Sequence, residues 1–334
     1  MPYYTVKMKR NNPLCQYNDP DDFLCKGEAN ESGFCYWHDK SIDKTGSEVR
    51  GKLELYAKDG GLLRGIYIEK SNLHNIDLVN RQSKKGYDFS YAKLYHCDLS
   101  NAHLFKINFS DACLMKANLS DAHLNYAQLE NANLLGVKWQ SSKIEKVHYG
   151  KFLLQELAAK KSDKEKDIEL ANDHYQQAEE IYRDLRKHAE HEGIFSLSGR
   201  FIQKELTMRR MQLPRYSNKR FYSKMTDLFC GYGEAPVRIV GISMGLILFC
   251  ALLYSFTGLS YQGEVQAVSA SLSIRENLNI FYSSLYFSVV TFTTLGYGEF
   301  TPIGISRALA AMEAFTGSFT IALFVVVFVK KMTR

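Results

Sequence analysis

Thr293-Thr294-Leu295-Gly296-Tyr297-Gly298 separates two apolar stretches near the C-terminus of a 334-residue chain. A backbone that aims several successive carbonyls at one axis needs conformations that a side chain opposes, and Gly296 and Gly298 supply that freedom. Leu295 and Tyr297 then face away from the axis and wedge the loop against surrounding protein. The carbonyls of Thr294, Leu295, Gly296 and Tyr297, with the Thr294 hydroxyl at the inner end, replace the hydration shell of a potassium ion when several copies close a ring. Thr293 supports them from behind. A second Gly-Tyr-Gly, Gly231-Tyr232-Gly233, serves as a control. It lacks the two threonines and precedes its apolar helix, so it reads as a polar bend where the chain meets a membrane.

Two apolar segments frame the run. No charged residue occurs from Ile239 to Gly263, and Ile239 to Leu259 is long enough for a helix to cross the roughly 30 Å hydrocarbon layer. Ala308 to Val329 is similar, carries one acid, Glu313, and ends in Lys330, Lys331 and Arg334. Asn279 to Phe292 is apolar and aromatic but only about 14 residues long, which suits a re-entrant helix whose negative dipole end points at the pore centre. Ser260 to Leu278 then forms an outer turret. Arg209, Arg210, Arg215, Lys219, Arg220, Lys224 and Arg238 before the first span, and the basic residues after the second, place both termini in the cytoplasm.

These residues resemble a two-transmembrane tetrameric potassium channel over Ala235 to Arg334. Thr294-Leu295-Gly296-Tyr297-Gly298-Glu299 stands where that family has Thr-Val-Gly-Tyr-Gly-Asp, and Thr301-Pro302 follows as it often does there. The resemblance implies a homotetramer, one filter loop per subunit, K+ in the filter, and a multi-pass protein surrounded by the lipids of the cell inner (cytoplasmic) membrane. Leu295 departs from the usual Val or Ile and alters packing behind the filter. Glu299 is a longer carboxylate at the outer mouth, where it still attracts cations. Val290 stands where some members carry an acid, so their carboxylate pair is absent.

Glu313 is an acid in an apolar helix, expensive unless it faces protein or water, and reads either as filter support or as a structural pairing. It lies six positions after Arg307, on a different helical face, so its partner lies near the filter support or on a neighbouring subunit. Gly317 is a candidate gate hinge beside Ser318; the alternative is that it permits close helix packing.

The N-terminal half repeats every five residues. Phe89, Leu94, Leu99, Leu104, Phe109, Leu114, Leu119, Leu124, Leu129 and Leu134 mark the period, and most are preceded two positions earlier by a small residue such as Ala92, Cys97 or Ala102. Helices and strands, with periods of 3.6 and 2, do not place every fifth residue on one side. The pattern resembles pentapeptide-repeat proteins, which implies a right-handed quadrilateral β-helix over Gly61 to about Trp139. An earlier run passes through Leu63, Ile68, Leu73 and Leu78, a one-residue phase break falls in Arg81 to Lys85, and Trp139 to Tyr149 is expected to cap one end.

Cys15, Cys25, Cys35 and His38 have the spacing Cys-x9-Cys-x9-Cys-x2-His. Three thiolates and one imidazole match a closed structural Zn2+ site, with unliganded reduced cysteines as the alternative. A cytoplasmic setting argues against disulfides. Lys143 to Met211 turns helical, with Ala171, Tyr175, Ala178, Tyr182, Leu185 and Ala189 as a stripe. That stripe packs either within a helical pair resembling a tetratricopeptide-like unit or against another subunit. Lys160 to Lys166 is expected to be a flexible turn, and Lys219 to Tyr232 mixes aromatic and basic residues as a helix on a membrane surface does.

The domain expectation is therefore 1–50 metal segment, 51–140 repeat coil, 141–218 helical connector, 219–236 interface segment and 237–334 pore: a membrane α-helical pore domain with two spans and a re-entrant helix. Lys7, Lys9 and Arg10 are too few to bind nucleic acid, and the net charge of +6 belongs to the membrane-proximal basic residues. No nucleotide fold, calcium loop, arginine-dense voltage sensor or catalytic constellation occurs, so no enzyme is expected. The expected function is a passive potassium channel whose cytoplasmic domain assembles it or responds to a ligand or protein the sequence does not identify. Non-selective cation conduction and a membrane-anchored interaction scaffold are the alternatives.

Overall fold

A computed structural model describes residues 13–333, in two compact units, Met1–Pro214 and Arg215–Arg334. Lys7, Lys9, Arg10 and Arg334 lie outside the described residues, as do the first twelve positions of the metal segment.

In the first unit, helix α1 (Val49–Lys58) precedes a stacked coil. Asp88 pairs with Asn108, Lys93 with Cys113, Asp98 with Asn118 and His103 with His123, all as parallel bridges and each pair twenty positions apart. One circuit is thus four pentads. The expected β-helix has no continuous strands among the described residues, because each side contributes a single bridged residue between turns. Those turns require a left-handed residue at every fifth position, including Tyr91, His96, Asn101, Lys106, Asp111 and Lys116. Each such non-glycine residue costs about 1–2 kcal/mol. Offsetting it, the central Leu or Phe and the small residue before it are driven into the interior: Phe89 to Leu134 at the central positions are at most 1% exposed.

Tyr67 pairs with Lys93, Asn72 with Asp98 and Asp77 with His103 at separations of 26 rather than twenty. The phase break is therefore an insertion of one pentad plus one residue, and it emerges as the exposed turn at 81–85. Gly86 lets the chain re-enter, since a Cβ there would lie 2.0 Å from the Lys106 carbonyl oxygen.

The coil also extends beyond residue 140. Lys143 pairs with His123 and His148 with Gln128, while Trp139, Ile144 and Tyr149 continue the buried central positions. Trp139 to Tyr149 is therefore further coil, not a cap. The end is closed instead by α2 (Leu154–Lys164) and α3 (Ile168–His191), where His188 stacks near Trp139 and its Nε2 lies 2.9 Å from the Ser142 carbonyl oxygen. The stripe from Ala171 to Ala189 is buried against α2 and α4 (Phe195–Met211) of the same chain. Lys160 to Lys164, expected as a turn, continues α2.

In the second unit, α5 (Asn218–Cys230) ends at Gly231, and Gly231, Tyr232 and Gly233 are all left-handed, the bend expected of the control sequence. Helices α6 (Pro236–Thr257) and α8 (Ile305–Met332) are long and apolar enough to cross a membrane, at about 33 and 42 Å. Between them lie β1 (Leu259–Tyr261), β2 (Glu264–Gln266), α7 (Ile274–Phe292) and β3 (Phe300–Pro302), with β1 antiparallel to both other strands. The expected turret is thus partly a hairpin. Helix α7 starts five residues before Asn279, because Ser273 and Glu276 form a reciprocal capping box. Between the N-terminal half of α6 and the C-terminal half of α8 lies a 170 Å³ groove lined by Ile239, Val240, Ser243, Met244, Thr320, Ile321 and Phe324.

Leu104→Ala should destabilise the coil by about 2–5 kcal/mol through cavity formation, read as a lower thermal midpoint of the full-length protein.

Candidate functional site

The loop from Thr293 to Glu299 hangs from the C-terminal end of α7. The Leu295 N–H donates to the Val290 carbonyl at 3.0 Å and the Thr293 hydroxyl to the Val289 carbonyl at 2.7 Å, so the helix hands its last acceptors to the loop. Thr294, Gly296 and Gly298 have φ of 58°, 58° and 92°, alternating with residues of negative φ. Alternation of this kind puts peptide N–H groups on one side and carbonyls on the other. Gly296 and Gly298 meet nothing within 4 Å of a built Cβ, so their glycines answer to φ and not to crowding within the chain. The left-handed Thr294 was not foreseen from sequence.

Leu295 and Tyr297 are 59% and 65% exposed. Among the described residues, then, their own chain does not supply the wall against which they were expected to wedge. Glu299 accepts a hydrogen bond from the Tyr286 hydroxyl at 3.2 Å, and β3 then carries the chain away, pairing Phe300 with Tyr261 just beyond the C-terminal end of α6.

Two α8 residues hold α7 from behind. Glu313, 3% exposed, accepts from the Tyr254 hydroxyl of α6 at 2.7 Å and lies 2.5 Å from the Ser288 hydroxyl of α7. Its contact with α7 is at Ser288, five positions before Thr293. Tyr254 and Ser288 escaped the sequence reading; a tyrosine in an uncharged span was the available signal. Gly317 lies where a Cβ would come within 2.1 Å of the Phe292 carbonyl oxygen. Its missing side chain admits the end of α7, and α8 runs unbroken through it. Close approach of this kind is what the packing alternative for this residue requires.

The first unit holds the Cys/His cluster. The ligand atoms of Cys15, Cys25, Cys35 and His38 all lie within 4.8 Å of one another, and all four residues are buried. The Cys25 and Cys35 sulfurs are 3.8 Å apart, near the edge of a tetrahedron built on Zn–S bonds of about 2.3 Å. The Cys35 sulfur is 3.1 Å from His38 Nδ1. His38 Nε2 lies 2.8 Å from the Arg64 carbonyl oxygen, so it carries the hydrogen and leaves Nδ1 free to ligate. The Gly27 N–H reaches the Cys25 sulfur at 3.4 Å, and a Cβ at Gly27 would crowd Cys35. Burial pushes the Cys25 thiol up to about 12 and lowers the His38 imidazole. A bound cation reverses that balance, and thiolate ligation must release protons. The residues fit zinc. Arg64 fastens the segment to the coil through Asp19 at 2.6 Å, Asp21 at 2.5 Å and Asp88 at 3.0 Å.

Comparison with known proteins agrees with both halves. A family described as "Ion channel" matches residues 241–334, and one described as "Pentapeptide repeats (8 copies)" matches 88–121 and 112–138. The C-terminal segment is thus an ion-channel domain and the coil a pentapeptide-repeat domain in one membrane protein. No curated protein matches the chain. A pentapeptide repeat protein from the Arabidopsis thaliana thylakoid lumen is 27% identical over 25% of this chain and 59% of its own, with a TM-score of 0.19. The similarity spans about three fifths of that protein's length. Rfr23 from the cyanobacterium Cyanothece 51142 is 20% identical over 30% of this chain and 96% of its own, at 0.20. A repeat protein from Nostoc Pcc 7120 is 26% identical over 31% and 88%, at 0.19.

Purified protein should carry stoichiometric zinc by atomic absorption, and Cys35→Ser should lose it together with thermal stability. Gly317→Ala, forcing a methyl against Phe292, should displace α7 and cut conductance, read as single-channel amplitude in bilayers.

Proposed function

We propose that the chain is a potassium-selective, passive channel that works as a homotetramer, with Thr294, Leu295, Gly296, Tyr297 and Gly298 as the filter. The supporting observation is the alternating backbone at Thr294, Gly296 and Gly298 beside the exposed Leu295 and Tyr297. The loop has the shape of one wall of a carbonyl-lined tube, and its side chains lack sockets that only other copies can provide. Four copies satisfy both needs. In this reading α7 is a re-entrant pore helix, Glu299 concentrates cations at the outer mouth, and the tyrosine holding Glu299 keeps its carboxylate there.

The remainder follows from the same reading. The protein sits in the cell inner membrane with both termini cytoplasmic, as the basic residues flanking α6 and α8 favour. The repeat coil is a right-handed four-sided β-helix, its first circuit closed by a structural Zn2+ on Cys15, Cys25, Cys35 and His38. It assembles or regulates the pore and catalyses nothing. Leu295, bulkier at its γ carbon than the usual Val, favours one alternative: a filter packed loosely enough to pass sodium.

Reversal potentials in planar bilayers under opposed potassium and sodium gradients separate the two. Wild type should reverse near the potassium equilibrium potential and Gly296→Ala should lose that selectivity; reversal near zero would assign non-selective cation conduction.

A further inference from the structure

We propose that Glu313 is a neutral carboxylic acid whose proton completes a hydrogen-bonded clamp joining α6, α7 and α8. Three short oxygen–oxygen contacts meet there: Tyr254 hydroxyl to Glu313 Oε2 at 2.7 Å, Glu313 Oε1 to Ser288 Oγ at 2.5 Å, and Ser288 Oγ to the Ile247 carbonyl at 2.9 Å. Each contact needs one hydrogen. Tyr254 and Ser288 own one apiece, and a carbonyl owns none. With Glu313 ionised, two hydrogens serve three contacts, and Ser288 must abandon either Ile247 or the carboxylate. With Glu313 protonated the chain closes: Tyr254 donates to Oε2, Oε1–H donates to Ser288, and Ser288 donates to Ile247.

The charge balance points the same way. Tyr254 and Ser288 are 0% exposed and Glu313 3%, so a single chain already encloses the carboxyl group. Tyr254 and the Cys250 thiol face it from α6 and Ser288 faces it from α7. Among the described residues the side chains that act on its carboxyl group are those of Ser288, Tyr254 and Cys250, none of them a cation. An unpaired carboxylate enclosed between apolar helices is far costlier than a neutral acid with every hydrogen bond made.

The clamp has a geometric reason to exist. Glu313 and Gly317 are four apart on α8, and the residues they meet, Ser288 and Phe292, are four apart on α7. One face of α8 thus holds one face of α7 at two successive turns, the second ending where the filter loop begins. The clamp itself does not depend on the proposed ion selectivity; only its service to the filter rests on that reading.

Infrared spectra of the full-length protein in lipid at neutral pH test it. Wild type should show the carbonyl stretch of a protonated carboxylic acid, lost in Glu313→Gln. Because a glutamine amide also donates and accepts, Glu313→Gln should keep the thermal midpoint of the assembly, whereas Glu313→Ala and Ser288→Ala should lower it. Absence of the band in folded wild type, or a Gln variant as destabilised as the Ala variant, would overturn the proposal. The band and the midpoint are read without passing current, so a non-selective pore with the band intact would sink the filter reading and leave the clamp standing.

Discussion

The loop from Thr293 to Glu299 buries almost nothing of itself, so its shape must be imposed from its ends. Ordering a residue costs on the order of 1–2 kcal/mol in backbone entropy, and Thr294 adds the strain of a left-handed non-glycine conformation. The restoring contacts are the α7 carbonyls that receive Leu295 and Thr293, the pairing of β3 with β1, and the approach of Phe292 to Gly317. The rest of the second unit is arranged around those ends. Helix α6 presents both Tyr254 and β1, and α8 presents both Glu313 and Gly317.

The first unit solves a related problem by repetition. Every pentad strains one corner and buries one large and one small side chain, so the coil is stable only as a stack in which each circuit covers the next. Its two ends would expose unpaired backbone and apolar interior. Cys15, Cys25, Cys35 and His38 hold a segment against the first circuit by way of Arg64, and α2 and α3 close the last.

The period of five, the Cys/His cluster and the glycine-bearing loop between two apolar helices were legible because each repeats or clusters residue types that few other structures need. The boundaries were less so. Trp139, Ile144 and Tyr149 keep the period, but their size and aromatic character disguised continuing coil as a cap. Ser273-x-x-Glu276 is a capping box readable in sequence, yet the polar residues around it suggested turret. Ser288 could not be found by pattern and Tyr254 was marked only by being a tyrosine in an uncharged span, because a hydrogen bond between three helices leaves no periodicity in any one of them. Thr294 carried no sign of its backbone hand, since threonine ordinarily avoids it.

The 170 Å³ groove between α6 and α8 divides the ties between these helices into two groups. Toward the loop that follows α7, α8 is fastened by Ser306 to Gly258 at 2.9 Å, by Glu313 and by the close approach at Gly317. Past Thr320 the hydroxyls on the groove turn back on their own helices, Thr320 to the Thr316 carbonyl and Ser243 to the Ile239 carbonyl, and the next ties are the Ile239 and Val327 contact region, on which Phe324 packs, and the 2.9 Å pair between Lys330 and Glu234. The end of α8 that meets α7 is held by hydrogen bonds to both other helices, and the opposite end by apolar contact and one ion pair.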